Sequence, residues 1–121
     1  MQPKSTIWAS WALSGIPILM LGASATLKFM GGAGLAEGFG HLGIPAAQAF
    51  PLGVVEILCA ILYLVPGTSV LGAILLTGYL GGATFAHVRV GDPFFIQPLL
   101  GVFLWGGLYL RDARIRALIP L

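Results

Sequence analysis

One acid constrains everything else in this chain. Glu56 stands near the middle of residues 46–65, AAQAFPLGVVEILCAILYLV, which are otherwise nearly all apolar and long enough to cross the hydrocarbon core of a bilayer as a helix. Insertion scales charge roughly 2.5 to 3.5 kcal/mol for an acid at a helix centre, and such a group faces a bundle interior or a polar cavity and takes a partner there. Other helices must therefore surround this one. Two roles remain open for Glu56: a protonated or paired carboxyl that helps hold a bundle together, or a carboxyl with a ligand, proton or catalytic role.

Composition agrees with a membrane setting. A chain of 121 residues that is 58% hydrophobic and 8% charged, with a mean hydropathy of +0.98, has too little polar surface to cover a water-soluble globule. The expectation is an integral membrane protein forming one domain over residues 1–121, with no separate soluble catalytic domain. The formal charge of +2 comes from few groups, and no basic patch carries interleaved aromatics, so nucleic acid is set aside as a partner. Cys59 is the only cysteine. That removes intrachain disulfides, CxxC pairs and cysteine metal clusters, and leaves Cys59 as a small apolar filler one turn after Glu56.

Four apolar segments follow in order, over residues 7–29, 46–65, 70–87 and 94–110, and they predict an all-α, four-transmembrane-helix antiparallel bundle. The first contains Pro17, expected to kink it, and is too long for the apolar core of a signal peptide, so it reads as a retained span. Residues 30–45 are rich in glycine and read as a loop with at most a short interfacial turn. The turn at Pro66, Gly67, Thr68 and Ser69 is so short that the second and third spans form a hairpin. Gly78 and Gly82 make a small-xxx-small pair expected to let another helix approach, in a homo-oligomer surrounded by membrane lipid. Lys4, Arg111, Arg114 and Arg116 flank one side while Lys28 and Arg89 flank the other, so the positive-inside rule favours cytoplasmic termini, in a bacterial inner membrane.

That orientation puts Lys28, His87, Arg89 and Asp92 near the outer boundary and Glu56 roughly 15 Å below it, at 1.5 Å per helical residue. Thr77 and Thr84 share one face of the third span with Gly81 and are expected to bridge the intermediate depths. The result is a polar funnel narrowing onto Glu56. A buried carboxyl and an imidazole are what acid–base chemistry needs, and also what a proton-coupled binding site needs. His41 reads as an exposed loop residue. No HExxH, P-loop, GxSxG or strand-linked GxGxxG is present, and no metal site or resident cofactor is inferred.

Lys28 at the end of the first span, GVVEILCAILYLVP around Glu56, GYLGGATFAHVRVGDP, and the closing LWGGLYLRDARIRALIP together resemble the DoxX-like family of small four-helix membrane proteins. The resemblance covers almost the whole chain. It implies a four-helix bundle; the wider group is linked to thiosulfate–quinone oxidoreduction, to oxidative-stress complexes and, in animal relatives, to receptor assembly. A single cysteine weighs against a sulfur relay here.

Three functional readings stand at this point, beside a purely structural or assembly role. In the first, the bundle binds a lipophilic molecule, a quinone or lipid-like compound, with Glu56, Lys28, Thr77, Thr84, His87 and Arg89 as polar anchors. In the second, it is an intramembrane isomerase, hydrolase or cyclase with Glu56 and His87 as catalytic acid and base. The third is a small proton-coupled exporter.

Overall fold

The computed structural model describes residues 3–119; the single domain expected over residues 1–121 also takes in residues 1, 2, 120 and 121, which lie outside the described residues. The chain is all-α, with no strand among the described residues. Its helices are α1 (Lys4–Met30), α2 (Ala33–Leu42), α3 (Ala49–Leu64), α4 (Ser69–Arg89), α5 (Ile96–Arg111) and α6 (Ala113–Leu118). Short 3-10 turns, Ala46–Gln48 and Pro66–Thr68, lead into α3 and α4.

The four longer helices form a ring in which α1 packs on α3, α3 on α4, α4 on α5, and α5 back on α1. Neighbours run antiparallel. Lys28 of α1 meets Glu56 of α3 and Ser14 meets Tyr63, so residue numbers fall on one helix as they rise on the next. The ring centre is filled by Tyr63, Leu76, Leu104 and Leu108, all essentially inaccessible. Outward faces carry large apolar side chains such as Leu19, Leu27, Phe50, Leu58, Ile74 and Val102, the surface of a bundle solvated by lipid. Three segments, Lys4–Met30, Ala46–Leu64 and Pro66–Arg89, are long and apolar enough to cross a membrane. At 16 residues, α5 rises only about 24 Å against a hydrocarbon core of about 30 Å.

Two close approaches fix the ring. A Cβ on Gly72 would strike the backbone nitrogen of Tyr63, and one on Gly107 would strike Ser14 Oγ while lying 2.7 Å from the Ser10 carbonyl oxygen. Glycine is required there because backbone meets backbone, as small residues permit between membrane helices. Within the chain, Gly78 and Gly82 have nothing within 4 Å of a built Cβ and line a cavity.

One expectation changes, and two further features appear. Residues 30–45 hold a ten-residue helix, α2, because Leu35, Phe39 and Leu42 recur at helical spacing and Phe39 is buried against the bundle. The helix ends in a Schellman motif: Gly43 takes φ 74°, its N–H bonds Gly40 O, and Ile44 N–H bonds Phe39 O. The arginine-rich tail folds as α6, with Asp112 as N-cap accepting from the Arg114 N–H at 2.9 Å. Pro17 is buried inside α1, which is one helix over its whole range.

Candidate ligand-binding cavity around Lys28 and Glu56

Glu56 is 1% exposed, on the face of α3 turned towards α1 and α4. Lys28, two residues before the end of α1, turns its stem inward and donates to Glu56 Oε1 at 3.0 Å and to Ser24 Oγ at 2.5 Å. The Lys28 ammonium also lies 5.9 Å from the centroid of the Tyr79 ring, within reach of a cation–π interaction. Serine and carboxylate together satisfy two of the three ammonium donors.

This pair forms part of the wall of a cavity of about 1040 Å³. The wall is mainly apolar, built from residues such as Met20, Leu27, Leu52 and Leu100, and its other polar members include His41, His87, Asp92 and Gln97. On α4 the positions Gly78, Gly82 and Ala86 lie at i, i+4 and i+8, so one whole helical face carries almost no side-chain volume. That face makes room for the cavity. Tyr79 and His87, flanking it, project polar groups into the same space.

The helix α2 covers one side of the cavity with Leu35, Gly38, Phe39 and Leu42. It is tied to the rest of the bundle at its C-terminal end. His41 Nε2 meets the Asp92 carboxylate at 2.8 Å, and the Arg89 guanidinium donates to Leu42 O.

The residues singled out from sequence therefore separate into groups. Lys28, Glu56 and His87 share the cavity. His87 Nδ1 lies 2.8 Å from Ala83 O; a carbonyl only accepts, so Nδ1 carries the proton and Nε2 is left to the cavity. Thr77 and Thr84 do not bridge to Glu56. They line a second cleft between α4 and α5, about 710 Å³ in volume, and their hydroxyls donate to the carbonyls of Ala73 and Leu80 at 2.7 Å. The reason is rotational: on α4, the Thr77–Gly81–Thr84 face is a different face from the one bearing Gly78 and Gly82. Arg89 lines neither space and serves to hold α2.

Sequence reasoning missed Tyr79 and Gln97, and it read His41 as an exposed loop residue, whereas His41 is exposed but lies on α2. Tyr79 follows from reading the Gly78–Gly82–Ala86 stripe as a wall, whereas His41 needs α2 to be recognised as a helix. It also missed a second polar cluster near the chain ends. Arg111 Nη1 donates to Ser14 Oγ at 2.6 Å and to Ser10 Oγ at 3.1 Å, with its guanidinium 4.1 Å from the Trp11 ring centroid. Tyr63 donates its one proton to Leu104 O at 2.6 Å, so Ser14 must be the donor in its 2.7 Å bond to Tyr63. This cluster clamps α1, α3 and α5 together. Among the described residues, no group of three His, Cys, Asp or Glu could hold a metal ion.

An all-α bundle with apolar outer faces, and a buried lysine–glutamate pair in the wall of an open cavity, fits a small integral membrane protein. The chain belongs to the DoxX-like family, whose model matches residues 12–107. No curated protein and no solved structure matches it.

Proposed function

We propose that the protein binds a small lipophilic molecule, lipid-like or quinone-like, with its polar head against Lys28 and Glu56. The observation that carries this reading is the 3.0 Å ion pair set in the wall of a largely apolar cavity. A buried ion pair is a poor source of stability, since two apolar side chains would pack there at similar or lower free energy. Its retention beside an open space suits recognition. A head group with a hydroxyl donates to Glu56 and accepts from Lys28; a carbonyl accepts from the third Lys28 donor. Four membrane spans, termini in the cytoplasm of a bacterial cell and self-association belong to the same proposal, and the arginines after α5 support the sidedness.

His87 supports a second reading. Its Nε2 is available to a cavity that also holds a carboxyl, the pair that acid–base catalysis on a lipophilic substrate requires. The separating experiment is extraction of protein purified in mild detergent, followed by mass spectrometry of the extract. One compound retained in near-stoichiometric amount and returned unchanged after incubation supports binding; its conversion to a second compound supports the enzyme. No retained compound contradicts both.

A further inference from the structure

The cleft between α4 and α5 has no part in the reading above. It shares two lining residues with the Lys28–Glu56 cavity, Leu80 and Gln97, so the two spaces adjoin there. Gln97 Oε1 is buried there and has no hydrogen-bond partner. That buried amide oxygen marks the junction of the two spaces as a polar point on an otherwise apolar path.

The shape of the cleft is that of a groove. It runs along α5 from Gln97 to Tyr109, about 18 Å at 1.5 Å per residue. Glycines at 81, 101 and 106 form its floor, and a Cβ on Gly101 would meet only Leu80 Cδ1, at 3.8 Å. Its threonine hydroxyls are already engaged: Thr84 donates to Leu80 O, and Thr77 donates to Ala73 O while accepting from Trp105 Nε1. Between Gln97 and Tyr109, at its two ends, the groove therefore offers a ligand a mainly apolar wall.

We infer that this groove continues the Glu56 cavity and takes the hydrocarbon tail of the same ligand, which is then a long single-chain amphiphile with a small hydroxyl- or carbonyl-bearing head. The inference rests on the proposed function and specifies its ligand class. A tail moving from bilayer into groove gains little, because lipid is as apolar as the groove wall. Selective occupancy must come from the head at Lys28 and Glu56.

The probe is hexadecanol bearing a diazirine at its far end, photolysed with the protein in phosphatidylcholine nanodiscs and mapped by peptide mass spectrometry. A second probe carries the diazirine next to the hydroxyl. The expected result is tail-probe adducts on Val102, Trp105 and Tyr109, lowered at least about tenfold by excess unlabelled hexadecanol and lowered similarly by Glu56→Gln. Gly101→Phe, which fills the groove beside Leu80, should remove the tail adducts while head-probe adducts on the cavity wall persist; the latter also report that the variant is folded. Tail adducts confined to the cavity would overturn the inference and leave the proposed function standing. Groove adducts that resist both competition and Glu56→Gln would assign the groove to bulk lipid or a second copy, overturning it equally. Head-probe adducts that no competitor displaces would remove the proposed function, and the inference with it.

Discussion

Removing the Lys28 ammonium while keeping its stem tests whether the ion pair is as isolated from solvent as its geometry requires. Lys28→Met leaves a side chain of similar length and removes the donor 3.0 Å from Glu56 Oε1. The side chains of the pair are 12% and 2% exposed, so water does not replace the lost partner, and breaking a buried pair from one side costs about 3–5 kcal/mol. Tyr79 remains beside the carboxylate, and places the expectation near the lower end, about 3 kcal/mol. Removing both charges in Lys28→Met/Glu56→Leu should return stability to within about 1 kcal/mol of the starting protein. The assay is equilibrium unfolding in mixed micelles, followed by tryptophan fluorescence, on both single variants and the double. A loss below about 1 kcal/mol for Lys28→Met, the range of a solvated surface pair, would refute the reasoning.

Other variants probe the packing. Gly72→Ala forces a methyl onto the α3 backbone at Tyr63 and should destabilise by about 3 kcal/mol, whereas Gly78→Ala meets open space and should be neutral or slightly stabilising in the same unfolding assay. Tyr63→Phe removes the donor to Leu104 O and the acceptor for Ser14, a loss of about 1–3 kcal/mol for buried groups left unpaired. Asp112 lies beyond α5, and hydrogen bonding from Arg114 holds its carboxyl below the usual value of 3.8. Because the folded value is the lower one, its capping of α6 is fully present above about pH 4 and is lost as pH falls through the folded value; circular dichroism at acid pH, with Asp112→Ala as the already uncapped control, checks it.

Much of the architecture was legible because lipid simplifies the rules. Apolar runs bounded by proline, glycine and charge mark the helices, and the short turn at Pro66–Thr68 dictates an antiparallel hairpin. Glu56 announced an interior site because an acid in that run must have company. The partner's identity was less accessible: Lys28 near a helix end reads equally as snorkelling to the headgroups or turning inward, and only the position of Ser24 and Glu56 around its stem settles the direction. Small-xxx-small spacing cannot tell a face that admits a helix from a face that admits a ligand. Gly78 and Gly82 line a cavity, while the close approaches within the chain use Gly72 and Gly107, whose partners lie on other helices. The glycine-rich segment before Gly43 concealed α2, since low helix propensity there is overridden by the burial of Phe39. The Arg111 cluster depends on contacts between residues about a hundred positions apart, which no local pattern encodes.

Native mass spectrometry of wild type and Glu56→Gln, prepared side by side in one mild detergent and matched for thermal melting, tests the central claim most directly. The claim is that Lys28 and Glu56 together hold the polar head of a lipophilic ligand. Glutamine keeps the shape of the side chain and removes the charge that orients Lys28, so the folded variant should show occupancy of the co-purifying ligand reduced about tenfold or more, equivalent to about 1.4 kcal/mol of binding free energy. Equal occupancy in the two proteins would contradict it, and would leave Glu56 as a polar residue that only holds the helices together.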